Sequence, residues 1–302
     1  MKAVLLREID GPLELVDLPD PDAAGGTLVR VRAAGVNFAD ILIRRGRYPQ
    51  MPPLPAVLGS EVAGELADGT RVMSFTGGGG YAELVAADPA TLVPLPEHAS
   101  FSEGAAFLLA FLTAYIPLTR QVRLRERQSV LVHAAAGGVG TAAIQVACAL
   151  GARAVAAVGS AEKLAVCRDL GAEEAFTYDD LPDDLLVDVV FDPVGGELFA
   201  ASFARLRPLG TVIAIGSAGG AWAEIDPARL VGRNSGVQGF YLGRLLRHDP
   251  GVVAAALGEL RRLWDDGAIR PCVGAEIPLA DVERAHALVE SRQSVGKVVL
   301  VT

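Results

Sequence analysis

Residues 128–151 read QSVLVHAAAGGVGTAAIQVACALG, and this stretch constrains the chain more than any other. QSVLVH is a short apolar strand, AAAGGVG a glycine turn, and TAAIQVACAL a helix that Gly151 can close. The same alternation continues. ARAVAAV is a strand, AEKLAVCRDL a helix stopped at Gly171, EAFTY a short strand, and LLVDVVF an apolar strand that ends at Asp192. The helix GELFAASFARL and the strand TVIAIG follow, and SGVQGFYL holds one more strand. Strands alternating with helices of this length build a parallel sheet joined by right-handed crossovers.

The turn itself, Ala135-x-Gly137-x-x-Gly140, joins a strand to a helix. Gly137 lets the backbone approach a pyrophosphate, and Gly140 lets the helix pack closely on the strand. The N–H groups of the first helical turn, with Gly138 and Val139 between the two glycines, then face the phosphates. Ala135 stands where such turns usually have a first glycine. The match is weak alone, and the strand–turn–helix setting gives it meaning.

An NAD site places Asp or Glu at the end of the second strand to hold the ribose 2′-hydroxyl. Here that strand ends Ala157-Val158-Gly159-Ser160, with no acid. A 2′-phosphate would be repelled by a carboxylate and favours hydroxyl and cationic partners. Ser160 and Lys163 are available, and Tyr178 ends the next strand, so the expected coenzyme is NADPH. Glu162 falls within a helix start, where an acid suits the dipole. Lys163 also fits a solvated helix charge, and Tyr178 a partly buried strand aromatic.

Residues 1–115 differ in character. KAVLL, LVRVRAAGV, VLGSEVAGEL and YAELVAA are β-rich, separated by loop compositions such as PDPDAAGG and YPQMPPLP, which predicts an antiparallel, barrel-like domain. The glycine run 77–80 precedes a strand and lacks a P-loop lysine, so it reads as a flexible turn. Past residue 250 come two helices, VVAAALGELRRLWDD and LADVERAHALVESR, and a final strand, GKVVLVT, expected to return to the first sheet. The expected domains are 1–115, 116–250 for the nucleotide domain, and 251–302 for the returning segment.

A net charge of −9 argues against a broad nucleic-acid or anionic-membrane surface. The three cysteines, Cys148, Cys167 and Cys272, form no C-x-x-C pair and fit a reduced protein. The N-terminal MKAVLLREIDGPLEL lacks the apolar core and cleavage site of a signal peptide, so the expected compartment is the cytoplasm. The apolar run AAFLLAFLTAYIPL is short for a membrane span and reads as a buried helix.

In order, AGVNFAD, GRYP, LGSEVAG, GGGYAELV, HAAAGGVGTAA, GSAEKL, FDPVGG, IGSAGG, QGFYL and GKVVL resemble the medium-chain dehydrogenase/reductase superfamily, and within it the zinc-independent quinone oxidoreductases. The resemblance covers nearly the whole chain. It implies an α/β architecture: a doubly wound, parallel Rossmann sheet inserted into a GroES-like, β-rich catalytic domain. It also implies an active site between the domains and a homodimer, commonly joined through the nucleotide domains. Zinc-dependent relatives carry Cys and His where this chain has Asn37 and Ser60. Glu61 remains, but one carboxylate makes no zinc site, so no metal is expected.

Without zinc, oxidising a simple alcohol is hard, because nothing holds the developing charge. A quinone or an α,β-unsaturated carbonyl spreads that charge after hydride arrives. The resemblance makes Tyr48 the candidate proton donor, as a tyrosine is at this position in related enoyl-thioester reductases; it also fits a pocket-shaping loop tyrosine. Asn37 is the candidate for orienting substrate or the nicotinamide ribose, or else a turn cap. Asp40 reads as a cap for the following helix. The resemblance places Gly216, Ser217, Phe240 and Tyr241 beside the nicotinamide and Val194 and Gly195 over the adenosine side. Phe240 and Tyr241 fit core aromatics equally well, and Lys297 either reaches the cofactor or flanks the last strand. The leading function is an NADPH:quinone oxidoreductase acting on a small quinone or enone. The alternatives are an enoyl-thioester reductase and a non-catalytic NADPH-binding sensor.

If Lys163 meets the 2′-phosphate, Lys163→Ala should weaken NADPH binding at least about tenfold, the scale of a hydrogen bond to a charged group. NADH binding should change little. Fluorescence titration with both coenzymes measures this, and equal losses would remove the assignment.

Overall fold

The computed structural model describes residues 1–302 except Ala24 and Ala223. Contacts divide the chain into two units: Met1–Leu108 with Pro271–Thr302, and Leu109–Arg270. The sequence alone places these boundaries near residues 115 and 250. Two sets of contacts move them. Glu259 in the helix Pro250–Asp265 accepts hydrogen bonds from Tyr115 (2.9 Å) and Arg120 (2.7 Å), tying that helix to the second unit. The Gln145 side-chain amide then pairs with both the N–H and the C=O of Arg270.

In the first unit, β1 (Lys2–Leu6) lies between β2 (Leu13–Asp17) and β4 (Ala56–Val57). The larger sheet is built on β3 (Thr27–Val36), β5 (Glu61–Glu65), β6 (Arg71–Phe75) and β8 (Val93–Pro94), with β7 (Leu84–Ala87) on the early half of β3. β3 alternates outward and inward residues from Leu28 to Ala33 and is then buried through Val36. Helix α1 (Phe38–Arg44) leaves its end, and α2 (Phe101–Ala105) follows the last of these strands.

The second unit opens with α3, whose assigned span is Leu108–Ile116. Pro117 does not end the chain's winding; it starts a π-helical turn, Pro117–Gln121. Six strands follow: β9 (Ser129–Val132), β10 (Arg153–Val158), β11 (Glu174–Thr177), β12 (Val187–Asp192), β13 (Leu206–Ala214) and β14 (Gly236–Gly239). They form one sheet in the order β11-β10-β9-β12-β13-β14, and every pairing is parallel. This is the doubly wound Rossmann order, whose direction reverses between β9 and β12 and opens a crevice at the strands' carboxyl ends. Helix α4 (Gly138–Ala149) follows β9, α5 (Leu164–Asp169) follows β10, and α6 (Gly196–Ser202) follows β12. Leu131, Val155, Ala157, Val190 and Val212 form a core with Phe199 and Phe203, whose rings meet edge to face at 5.2 Å. Later come α7 (Pro227–Arg233), α8 (Leu242–His248) and α9 (Pro250–Asp265), which buries Val253, Ala256, Leu260 and Trp264 at helical spacing.

The chain then completes the first unit. β15 (Val273–Pro278) and β16 (Lys297–Val301) pair in parallel, joined through α10 (Val282–Glu290), and β16 pairs antiparallel with β3. The large sheet therefore mixes one parallel pair into an otherwise antiparallel set. No helix among the described residues is long and apolar enough to cross a membrane.

Gly140 is required by packing. A Cβ there would lie 2.7 Å from the Ala135 Cα and carbonyl oxygen, both backbone atoms that cannot step aside. Gly140→Ala should therefore cost about 1–3 kcal/mol, the scale of overpacking, read as a lower urea midpoint. Gly258→Ala is the control: it lies exposed in α9 with open space around it and should hold or gain stability.

Candidate functional site

The glycine turn of the second unit sits where the sheet order reverses. Ala134 adopts a left-handed conformation (φ 47°), and its carbonyl accepts from the Gly137 N–H at 2.9 Å. Gly137 is the N-cap of α4 and has no side chain to satisfy the first-turn N–H groups. Those of Gly138, Val139 and Gly140 have no partner within the helix by its geometry. This backbone concentrates partial positive charge at the head of a 12-residue helix. Its chemistry suits a pyrophosphate.

Two of the neighbours expected beside the phosphates have partners within the protein. Tyr178 lies one residue beyond β11, and its hydroxyl accepts from the Ala134 N–H at 2.8 Å. It holds the turn itself. Ser160 caps a short helical turn, Ala161–Lys163, and its hydroxyl bonds the Glu162 carboxylate, which holds that acid below its usual range. Lys163 ends the same turn, half-buried. The end of β10 itself carries no carboxylate.

Behind the turn lies His133, 1% exposed. Ser202 Oγ donates to the Leu198 carbonyl, so it accepts from His133 Nε2–H at 2.9 Å. The ring is therefore the Nε2–H tautomer, with Nδ1 buried and unpartnered. Burial, aided by the charge of Arg205, pushes its pKa down to about 3. His133 is a neutral spacer between α6 and Tyr178, whose ring lies 5.8 Å away.

Across the crevice, Asp192 ends β12 and accepts from the Val194 and Gly195 N–H groups at 2.7 and 3.1 Å. Gly195 (φ 75°, ψ −161°) uses a conformation reserved for glycine. A Cβ there would meet Ala221, Ser217 and Gly216. Backbone bonds from Ala218 to Pro193 and from Gly219 to Val194 zip this loop to residues 216–221. Val194, Gly195, Gly216 and Ser217 thus form one surface at the ends of β12 and β13. Phe240 is buried just beyond β14, and Tyr241 caps α8 with the Arg247 guanidinium over its ring at 5.7 Å.

The first unit holds a second cluster. Lys297 opens β16 and turns inward, 5% exposed, onto Glu61, which is 0% exposed. Its ammonium meets Glu61 Oε1 and Asn37 Oδ1, each at 2.5 Å. Asn37 Nδ2 donates to Glu61 Oε1 at 3.1 Å and to the Gly35 carbonyl at 3.3 Å. Lys297 stands at the first position of the last strand, and its side chain is committed to this buried pair. Asp40 caps the start of α1 as expected, from the third helical position of a capping box in which its carboxylate accepts from the N–H of Asn37, the N-cap, at 2.8 Å. The Tyr81 hydroxyl donates to the same Asp40 oxygen at 2.9 Å, and His286 stands edge-on to the Tyr81 ring. Burial raises Asp40 to about 6, against the lowering effect of both donors. Sequence reading missed Tyr81, Asp40 and His286 as a group, since only the fold joins them. Tyr48 lies half-buried in the bend after α1. A divalent cation at Glu61 would have to displace the Lys297 ammonium, and Asn37 is a poor zinc ligand, so these side chains do not fit zinc.

Two family models match the chain: an alcohol dehydrogenase GroES-like domain over residues 23–97 and a zinc-binding dehydrogenase over 170–300. The quinone oxidoreductase of Thermus thermophilus, solved also in complex with NADPH, is 43% identical with a TM-score of 0.91, covering 100% of both chains. A mycobacterial protein solved with NADPH is 34% identical at a TM-score of 0.91, again over 100% of both. The mouse (Mus musculus) quinone oxidoreductase-like protein 2 is 32% identical over 99% of this chain and 91% of its own. The chain belongs to the medium-chain dehydrogenase/reductase superfamily, among its quinone oxidoreductase-like members. It is an oxidoreductase of that family, with an α/β Rossmann unit and a GroES-like unit.

His133 gives a pH prediction. Its folded pKa of about 3 lies below the ordinary 6.5, so the unfolded chain binds the proton first. Its contribution is complete above pH 6.5 and is lost as pH falls toward 3, on the order of 5 kcal/mol. His133→Gln should flatten that part of the stability-against-pH curve, measured by urea unfolding. A slope unchanged by the substitution would show that His133 is not buried neutral.

Proposed function

We propose that the chain is an NADPH-dependent oxidoreductase that passes hydride to a quinone or another conjugated carbonyl without zinc. The observation that carries this is the glycine turn at the reversal point of the sheet, beside a β10 end free of carboxylate. Relatives solved with NADPH support the same coenzyme.

In this reading the backbone of Ala135, Gly137, Gly138, Val139 and Gly140 binds the pyrophosphate. Lys163 and Ser160 take the 2′-phosphate, for which the Ser160 hydroxyl must leave Glu162. Tyr178 contributes by holding Ala134 in its left-handed turn. Val194 and Gly195 line the adenosine side, and Gly216, Ser217, Phe240 and Tyr241 the nicotinamide side. The reduced nicotinamide supplies the hydride. Asn37 orients the reactants, and the Tyr48 phenol gives a proton to the enolate or quinol oxygen. The acceptor's conjugation, not a metal, spreads the charge. The Lys297–Glu61 pair, standing where a metal would compete, supports metal-free chemistry.

The reading includes a cytoplasmic homodimer joined through the second unit. No disulfide joins Cys148, Cys167 and Cys272, which fits a reducing compartment. Exposed Leu209 (85%), Trp222 (61%) and Val231 (78%) on a unit whose last strand, β14, is an open edge fit a self-contact.

Steady-state NADPH oxidation with 1,4-benzoquinone and 9,10-phenanthrenequinone tests the activity. Turnover with either is expected. Folded protein that binds NADPH yet consumes it with neither would count against the quinone reading. Turnover of crotonyl-CoA above that of quinones, lost in Tyr48→Phe, would move the assignment to an enoyl-thioester reductase. Enone reduction unchanged by Tyr48→Phe would remove the tyrosine's role.

A further inference from the structure

β16, β3 and β5 are adjacent in the large sheet, and their register brings three residues together. Val298 pairs with Val36, so the next step along the same register sets Lys297 opposite Asn37. Ala34 pairs with Val62, so the next step sets Glu61 opposite Gly35. Lys297 and Glu61 lie on strands separated by β3, and a side chain on β3 would part them. Gly35 has none: a Cβ there would come within 2.7 Å of Glu61 Oε1 and 2.9 Å of Glu61 Cγ. The missing side chain lets Glu61 cross β3 and meet the ammonium.

Asn37 is the partly exposed end of this pair, while both charges are nearly out of water. Its amide has one favourable sense. Lys297 donates to Oδ1, and both Nδ2 hydrogens are used by the Gly35 carbonyl and Glu61. Rotating the amide by half a turn would set Nδ2 against an ammonium and Oδ1 against a carboxylate and a carbonyl. Each of the three contacts would turn repulsive. Asn37 is also the N-cap of α1, its side chain facing the Asp40 N–H, so with both Nδ2 hydrogens committed Oδ1 is the one atom of the amide that can take a further partner.

We infer that Lys297, with Glu61, is a positioning residue that locks the Asn37 amide, so that Asn37 meets bound coenzyme or substrate only as a hydrogen-bond acceptor. Its partner is then an O–H or N–H donor, such as a ribose hydroxyl or a carboxamide N–H. It is not the carbonyl oxygen of the acceptor. The lock itself is a property of the protein without ligand; its catalytic consequence rests on the oxidoreductase reading above.

Selective ¹⁵N-asparagine labelling tests the lock without coenzyme, because the chain contains two asparagines, Asn37 and Asn234. The Asn37 side-chain hydrogens should exchange slowly with solvent. They should exchange at least about tenfold faster in Lys297→Met combined with Glu61→Gln, which leaves no lone buried charge. Equal exchange in both proteins would overturn the lock. The acceptor role is tested by Asn37→Asp, alone and with Glu61→Gln. The single variant places two carboxylates around one lysine and should lose about a hundredfold in kcat/KM, as a misplaced group does. The double variant restores the charge balance, with the residue-61 amide donating and the residue-37 carboxylate only accepting. It should recover at least tenfold of that loss, mostly in kcat. A folded double variant no better than Asn37→Leu would overturn the acceptor role. A wild-type protein without NADPH turnover would sink the oxidoreductase reading, and the exchange measurement would still decide the lock.

Discussion

A lysine ammonium and a glutamate carboxylate, both withdrawn from water, meet at 2.5 Å in the first unit. Removing two such ions from solvent costs several kcal/mol each, and only close geometry with further hydrogen bonds offsets it. The geometry is supplied from far along the sequence: Lys297 belongs to the last strand, Glu61 to β5, and Asn37 closes the contact from the start of α1. The final strand must therefore return to β3 across the whole inserted unit for the pair to exist. A hydrogen-bonded polar cluster at this spot specifies register, because slipping β16 by one residue would turn Lys297 to the other face.

The second unit handles charge differently. Its glycine turn offers backbone N–H groups and a helix dipole, with no formal charge in the turn. The supports behind it are quiet ones. His133 is held uncharged by burial, Tyr178 acts through its hydroxyl, and Asp192 commits one carboxylate oxygen to the backbone of its own loop. Such supports leave an incoming anion facing dipoles fixed in place, which cost little to reorganise.

Much of this architecture was legible before folding. Short apolar strands alternating with helical stretches, punctuated by Gly151 and Gly171, gave the parallel α/β unit, because local geometry dictates where glycine must end a helix; both adopt positive φ. The strand–turn–helix context located Gly137 and Gly140 for the same reason. The unit boundaries were less legible. Glu259 and Gln145 tie α9 and Arg270 to the second unit through side-chain bonds that leave no mark in composition. Ser160 and Tyr178 looked alike as hydroxyl donors beside Lys163, yet one turns to Glu162 and the other to Ala134.

The sequence by itself determined the alternation of strands and helices, the glycine turn, the acid-free end of β10 and the Asn and Ser standing where zinc relatives have Cys and His. All are properties of residues close together along the chain. Only the tertiary structure decided that Lys297 faces inward, that Gly35 makes room for Glu61, and that Tyr81, Asp40 and His286 share one buried cluster. These depend on strand register between segments up to 260 residues apart, the separation of Lys297 from Asn37. Register is set by the summed packing of a whole sheet, and no short window of sequence contains it.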